Sequence, residues 1–483
     1  MDDTIHIPPR DAQIHLMGIC GVGMSSLAGV LKEKGYTVTG SDQNTYPPIS
    51  TFLERLSIPV KKGYSPSNLH PRPDLVIVGN VITRDNPEAD ALLQLGLPYL
   101  SMPQAIRRFV MGDKTSITIA GTHGKTTTSA LAAWILEFAG MDPSFMIGGI
   151  AKNFNANFKL GTGPYFIIEG DEYDTAFFDK APKFLHYNPH VGVITSIEFD
   201  HGDIYDDIEE IKDAFTHLIK LIPSEGVLCT NVDEQAVKDA AARADCPCLT
   251  YAIRTAADLR AADIVTGVRE TRFTVLREGG DYMEVSTDLY GEHNIYNILA
   301  AISVGYHLHI DPHTVARAIK TFEGAKKRLE TRGSYGDILV IDDFAHHPTA
   351  VRGSTKAVKG HYGERRLVAV FEPRSNTSRR NIFQDAYATS FDAADLVILP
   401  EPQRMEKIPP GQRFSSVKLR GDLIERGIEA HYFPNNDELL EGILSLTKPG
   451  DVILIMSNGP FDNISQRLVG RLKRQFANTH AQS

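Results

Sequence analysis

Cysteine is scarce, with four in 483 residues. Cys20 lies in a glycine-rich turn, Cys229 in an apolar run, and Cys246 and Cys248 flank a proline. So few in so long a chain exclude a disulfide framework. The Cys-Pro-Cys has no partnering Cys/His pair to complete a zinc site. Basic charge is also short: 50 Lys and Arg stand against 60 Asp and Glu, a formal net charge of −10. That balance argues against nucleic acid or an anionic membrane as the main partner. It leaves room for local basic sites that hold phosphate. No apolar run approaches the ~18 residues of a membrane-spanning helix. Met1-Asp2-Asp3-Thr4 lacks the basic and apolar stretches of a secretory signal, so the expected location is the cytoplasm. Repeats and low-complexity segments are absent. The remainder is ordinary globular composition, 42% apolar and 23% charged, in a chain long enough for about three domains of ~150 residues.

The most informative stretch runs from Ser116 to Thr128. An apolar, β-branched run ends in Gly121-Thr122-His123-Gly124-Lys125-Thr126-Thr127, and an apolar-periodic segment follows to about Ala139. The pattern is strand, tight glycine loop, helix. Such a loop turns its N–H groups inward at a helix N-terminus and binds phosphate. Lys125 is placed to reach β/γ-phosphates and the Thr126 hydroxyl to ligate Mg²⁺. The general motif wants glycine five residues before Gly124, where this chain has Ile119. A strand–turn–helix without a ligand would leave the placing of Gly-Lys-Thr at the junction unexplained.

Upstream, Gln13–Met17 reads as a strand, Gly18-Ile19-Cys20-Gly21-Val22-Gly23-Met24 as a turn, and Ser25 to about Lys34 as a helix. Thr37–Asp42 is a second strand, and Asp74–Asn80 a later one that leads to a loop with Asn80 and Asn86. This is half of a doubly wound nucleotide fold. Cys20 replaces the second glycine of G-x-G-x-x-G, so NAD is poorly supported and a nucleotide diphosphate in another pose is favoured; packing alone is the bland reading. Downstream of the loop, Pro164–Ile168 and Val191–Ile197 read as strands that end in Glu169-Gly170-Asp171-Glu172-Tyr173-Asp174 and Glu198-Phe199-Asp200-His201. Strand C-termini are where α/β sheets bind ligands. Solvated loop acids explain Asp174 or Asp179, but Glu169 and His201 less well. A strand at Met283–Leu289 precedes Gly291-Glu292-His293-Asn294-Ile295-Tyr296-Asn297 and a helix from Ile298 to about His307. From about Phe322, strands at Ile338–Ile341, Leu367–Phe371, Leu396–Leu399 and Val452–Met456 alternate with helical patterns, a second doubly wound unit.

Together the motifs GICGVGM, GTHGKTTT, EGDEYD, EFDH, GEHNIYN, KKRLE and IDDFAHHP resemble, in order and spacing, the Mur ligases, ATP-dependent amide ligases of peptidoglycan precursor synthesis. The resemblance covers nearly the whole chain. It implies an α/β protein of three domains: residues 1–110 Rossmann-like for a UDP-sugar, 111–322 a P-loop ATPase, and 323–483 Rossmann-like, bringing the incoming amine and closing on ATP. Gly18, Cys20, Gly21, Gly23 and Met24, with Ser41, Asp42, Asn80 and Asn86, are then the expected UDP-sugar site. Gly121, Thr122, His123, Gly124, Lys125, Thr126 and Thr127 hold ATP, Lys125 on its phosphates. Thr126 and Glu169 hold one Mg²⁺ and His201 a second ion. His293, Asn294 and Asn297 meet adenine, while Arg328 and Asp343 reach ATP from the third domain. Some relatives carry a carbamylated lysine where this chain has Thr216, and the branch without it acts on UDP-N-acetylmuramate. His346 and His347 are both placed to serve as base for the amine, and one of them as a cap or packing residue.

Within that branch the incoming amine is either L-alanine or the recycled tripeptide L-alanyl-γ-D-glutamyl-meso-diaminopimelate. The stretches Phe178–Tyr187, Glu372–Thr377 and Met456–Phe461 resemble the tripeptide enzymes. Arg374, Ser375, Asn376, Ser457 and Asn458 are the expected peptide site, with a surface salt bridge as the plain alternative for Arg374. The substrates implied are small molecules, without nucleic acid or membrane, and the chain is expected to be a monomer or weak homodimer. A dehydrogenase or a P-loop regulatory ATPase is the competing class, and neither accounts for the GEHN and HHP segments.

Overall fold

The computed structural model describes residues 8–45 and 49–480, so Met1-Asp2-Asp3-Thr4 lies outside the described residues. Its first sheet is parallel, in spatial order Val60–Lys62, Thr37–Asp42, Gln13–Met17, Leu75–Val78 and Tyr99–Ser101. The chain leaves Gln13–Met17 for one neighbour and later returns to its other side. Such a topological switch point opens a crevice at the strand's carboxyl end, where the Gly18 turn begins. Leu75–Val78 is buried throughout, as a parallel strand covered on both faces should be.

The second sheet has ten strands. Its parallel middle runs Ser144–Ala151, Tyr165–Gly170, Thr115–Ala120, Val191–Ile194, Val227–Asn231 and Cys248–Ala252. Leu259–Thr266 continues it, and Thr271–Arg277 and Gly280–Thr287 add antiparallel edge strands. Ala156–Lys159 closes the other edge. The third sheet runs Glu330–Tyr335, Ile338–Asp343, Val452–Met456, Leu367–Phe371, Leu396–Pro400 and Glu429–Phe433, parallel but for its first strand. The α/β architecture expected from the sequence is therefore present in all three units.

Three helices begin earlier than their apolar periodicity suggests, at Val22, Lys125 and Glu292. Each follows a glycine N-cap, Gly21, Gly124 or Gly291, and opens with a first turn whose pattern hides the start. The helix Lys125–Phe138 packs on the helix Glu292–His307 and on the second sheet. Leu131, Ile135 and Leu136 have no exposed surface, each worth ~1.5–3 kcal/mol of transfer from water. That burial holds the glycine loop rigidly at its helix end. A hairpin of Asp174–Ala176 and Asp179–Pro182 carries Phe177 and Phe178 against the first sheet's outer core, with the Phe178 ring 4.8 Å from Tyr99. No helix among the described residues is long and apolar enough to cross a membrane.

Candidate active site

The glycine loop leaves the carboxyl end of Thr115–Ala120 and enters the helix Lys125–Phe138. Gly121 and Gly124 have φ of +135° and +82°, conformations that side chains resist. A Cβ at Gly121 would collide with Thr195 Oγ1, and one at Gly124 with Asn297 Oδ1. Both glycines are thus required by close approach as well as by φ. The loop is braced from the strand Val191–Ile194: Thr122 N donates to Ser196 O at 2.9 Å, and His123 N to Ser196 Oγ at 2.9 Å.

Lys125 Nζ donates to Gly121 O at 2.5 Å and to Glu172 Oε2 at 3.0 Å. Burial opposes its charge, but Glu172, Asp171 and Glu169 outweigh that and raise its pKa. Glu172 Oε1 lies 2.9 Å from His201 Nε2. Burial pushes Glu172 up, and Lys125 with His201 brings it below its ordinary value. His201 answers in the opposite sense: burial lowers its pKa, and Glu172 and Asp200 raise it overall. The residue sits at φ +57°, strained backbone of the kind that clusters at working sites. Asp171, Glu172 and His201 present ligand atoms within 4.8 Å of one another.

Glu169 lies inside the strand Tyr165–Gly170 rather than after it, paired across from Ile119. Its Oε2 accepts from Thr126 Oγ1 at 3.2 Å and its Oε1 from Gly148 N at 2.7 Å. Burial raises its pKa in spite of Arg328 and Lys125 nearby. Arg328 comes from the third unit, yet its Nη2 donates to Thr126 Oγ1 at 3.0 Å. Its guanidinium also lies 4.3 Å from the centre of the Phe344 ring. The central and carboxy-terminal units are therefore closed on one another here. Asp343 holds that approach in place by accepting from Leu329 N at 2.7 Å, Ala345 N at 2.8 Å and Ser354 Oγ at 3.0 Å.

Asn294 and Asn297, expected at the adenine, are held by a chain of hydrogen bonds within the protein. Thr128 Oγ1 donates to Asn297 Oδ1, Asn297 Nδ2 to Asn294 Oδ1, and Asn294 Nδ2 to Tyr290 O, at 3.3, 3.1 and 2.8 Å. Both amides are buried and engaged with protein, so they tie the helix Glu292–His307 to the glycine loop. His293 is left to face the third unit, with Asp343 among its charged neighbours.

The two candidate bases separate. His347 is the N-cap of the helix Pro348–Tyr362, accepting from Thr349 N, and its pKa falls to about 4, through burial first and His123 second. His346 Nδ1 lies 3.1 Å from Phe344 O, an oxygen that only accepts, so the proton sits on Nδ1 and Nε2 keeps its lone pair. Burial lowers the pKa of His346, against Asp200 at 3.8 Å.

In the first unit, Gly18 N donates to Ser41 O at 2.8 Å and Cys20 N to Asp42 Oδ2 at 2.9 Å. Gly18, Cys20, Gly21, Ser41 and Asp42 thus share one corner at the switch point. Burial first and Asp42 second push the Cys20 thiol up to about 11, so it is no thiolate. Gly23 backs on Met102 Sδ, Met24 is buried, and Asn80 is exposed. Asn86 caps the helix Pro87–Gln94, its Oδ1 accepting from Glu88 N and Ala89 N. The sequence reading passed over Glu88, fully buried, which accepts from Ser41 Oγ at 2.6 Å and Asn68 Nδ2 at 2.7 Å and lies 2.9 Å from His15 Nε2.

At the expected peptide site, Arg374 Nη1 lies 3.4 Å from Glu372 Oε1. Glu372 is buried, accepts from Ser457 Oγ at 2.6 Å, and is raised by burial above its ordinary pKa. The Arg374 side chain lies across Gly459, where a Cβ would strike it. Lys327 Nζ donates to Gly459 O at 2.6 Å, and Asn458 Oδ1 is buried without a partner among the described residues. Two residues of the expected site have protein partners. Asn376 Nδ2 donates to Asp203 Oδ2 of the central unit at 2.7 Å, a tie between units rather than a free amide. Ser375 Oγ is engaged with Ser378 at 2.9 Å. Glu172 and Glu372 were also missed as site residues; each stands within a motif read from the sequence, and only the fold shows which cation each faces.

Comparison with known proteins agrees with this geometry. Residues 13–113 match the Mur ligase family catalytic domain, 119–305 the Mur ligase middle domain, and 327–459 the Mur ligase glutamate ligase domain. The UDP-N-acetylmuramate–L-alanyl-γ-D-glutamyl-meso-2,6-diaminoheptandioate ligase of Escherichia coli K12 is 40% identical over 465 residues, covering 96% of this chain and 99% of that one. The UDP-N-acetylmuramate–L-alanine ligase of Desulfatibacillum aliphaticivorans is 35% identical over 448 residues, covering 92% and 95%. A crystal structure of a murein peptide ligase from Psychrobacter arcticus 273-4 superposes with a TM-score of 0.73 at 36% identity, covering 95% and 98%. With three family models matched in order and full-length relatives at this identity, the chain belongs to the Mur ligase family.

Proposed function

We propose that this protein is an ATP-dependent amide ligase that joins the carboxylate of UDP-N-acetylmuramate to the amine of L-alanyl-γ-D-glutamyl-meso-diaminopimelate. The observation that carries the reading is Arg328 of the third unit donating to Thr126 of the glycine loop. It brings the nucleotide end and the Arg374–Glu372–Ser457 cluster into one closed assembly. The greater identity to the tripeptide enzyme than to the L-alanine enzyme supports the longer substrate. We divide the chain near residues 110 and 322, and place it in the cytoplasm as a monomer or weak homodimer.

In the reaction the muramate carboxylate attacks the γ-phosphorus, the bond to the β–γ bridging oxygen breaks, and ADP leaves an acyl phosphate. The amine then attacks the acyl carbon, loses a proton, and inorganic phosphate departs. Catalysis of this kind is mostly positioning and charge. Lys125 supplies a fixed cation beside the transferred phosphoryl group. Arg328 adds a second from the closing unit, and Asp343 holds its loop. His293 flanks the base, while Asn294 and Asn297 keep the loop in place. His346, neutral with its Nε2 lone pair free, accepts the amine's proton. Thr126 and Glu169 offer oxygen donors that suit one Mg²⁺, and the carboxylates of Asp171 and Glu172, with the His201 imidazole, would stand beside a second ion. The surplus burial of Glu169 is what a dication would relieve. When bound, such ions screen the repulsion between the two anions.

The test is phosphate release by the purified protein. Release is expected only when ATP, UDP-N-acetylmuramate and the tripeptide are all present, and far more slowly with L-alanine. Release without either acceptor would instead mark a regulatory ATPase, and a preference for L-alanine would mark the alanine ligase.

A further inference from the structure

His123, Glu198 and His347 converge where the central and carboxy-terminal units meet. His123 belongs to the glycine loop, Glu198 follows the strand Val191–Ile194, and His347 caps the helix Pro348–Tyr362. One ligand atom from each lies within 4.8 Å of the others. Glu198 Oε2 stands 3.6 Å from His123 Nε2 and 3.5 Å from His347 Nδ1. These separations exceed hydrogen-bond lengths. They are close to the edge of a tetrahedron, about 3.4 Å when the metal–ligand bonds are ~2.1 Å.

Three further observations point to a ligand. His123 Nε2 is buried and makes no hydrogen bond of ordinary length among the described residues, its charged neighbour Glu198 standing 3.6 Å away, and such an atom needs a reason. His347 Nε2 donates to Phe199 O at 3.1 Å, so its Nδ1 carries the lone pair, 3.5 Å from Glu198 Oε2. Metal-ligating histidines are commonly oriented in this way by a backbone carbonyl. Thr349 Oγ1 donates to Glu198 Oε2 at 2.6 Å and orients the carboxylate, leaving that oxygen a second lone pair. Thr349 N meets His347 Nδ1 at 3.2 Å, a contact that an ion would replace.

We propose that His123, Glu198 and His347 form a site for one tetrahedral transition-metal dication of the zinc class, with its fourth position open. Two imidazoles and a carboxylate select d-block ions over Mg²⁺, which prefers oxygen. The ion ties the central unit to the carboxy-terminal one and withdraws His123 from the nucleotide, so its occupancy slows turnover. This holds whichever amine the enzyme uses.

The test titrates Co²⁺, whose tetrahedral complexes absorb strongly in the visible range, into the full chain in excess Mg²⁺. One equivalent is expected to give a tetrahedral spectrum that Zn²⁺ abolishes. Glu198→Gln and His347→Gln should each weaken binding more than about tenfold, the least that even outer-shell changes bring about. Glu172→Gln should leave it unchanged. Loss of the spectrum in Glu172→Gln, or its persistence in both other variants, overturns the proposal. Should a variant fail to fold, anomalous diffraction from wild-type crystals soaked in Zn²⁺ decides. A peak among the three residues supports the site; no peak, or one only at Asp171, Glu172 and His201, overturns it.

Discussion

Two glycine turns stand at the carboxyl ends of parallel strands in this molecule, and their charges oppose each other. The turn after Met17 gives its Cys20 N–H to Asp42, so a carboxylate of the protein already fills the direction in which a pyrophosphate would lie. The turn after Ala120 gives His123 N to a neutral hydroxyl and stands beside Lys125, with Arg328 delivered from another unit. Both turns lead from a parallel strand into a helix with a glycine N-cap, but the first repels a phosphate placed as in dinucleotide enzymes and the second attracts one. Glycine spacing tells where a turn will form. The side chains around it decide what binds.

The largest expected effect comes from breaking the second turn's charge. Lys125→Ala should reduce ligation on the order of 10³-fold or more, because a positioned cation on the transferred phosphoryl is a main source of rate. The phosphate-release assay reads this, and circular dichroism should show an intact fold. A variant within about tenfold of wild type would end the assignment.

A smaller effect separates the turns by shape. Gly124→Ala places a Cβ against Asn297 at φ +82° and should destabilise the protein by roughly 1–3 kcal/mol. Gly21→Ala meets nothing nearer than 3.5 Å and has φ −67°, so its melting temperature should stay close to wild type. Equal melting temperatures would mean that the second loop is looser than its contacts imply.

The smallest effect is acid sensitivity in the first unit. Burial drives Glu88 up, but His15, Ser41 and Asn68 hold its pKa below the ordinary value overall. A depressed carboxyl stabilises the fold above its unfolded pKa of ~4.3, and that contribution fades as pH falls through the folded value. Stability should therefore drop below about pH 4.3 in wild type, with a shallower slope in Glu88→Gln. Identical slopes in chemical denaturation would remove Glu88 as the cause.

These regions were unequally legible in the sequence. Gly-Lys-Thr after a β-branched run announces its own structure, since the loop, helix start and lysine are all local. Asn86 was legible as well, because Asn-Pro-Glu before an apolar segment is a helix-start signal, yet it reads equally as a loop ligand. Glu172 was not: it tells itself from Asp171 and Asp174 only when the loop folds back to face both Lys125 and His201. Asn294, Asn297 and Asn376 follow the same rule. Their motifs mark importance, but their partners, Thr128, Tyr290 and Asp203, are long-range facts of packing. His346 and His347 are neighbours in sequence, and only the helix start at Pro348 makes one of them a cap.

The most direct test of the contrast is a crystal structure with a non-hydrolysable ATP analogue and UDP-N-acetylmuramate. The account predicts the triphosphate across Gly121–Thr126 within reach of Lys125 and Arg328, and the UDP-sugar at the Gly18 turn. A triphosphate seated at the Gly18 turn, or one lying clear of Lys125, would contradict it.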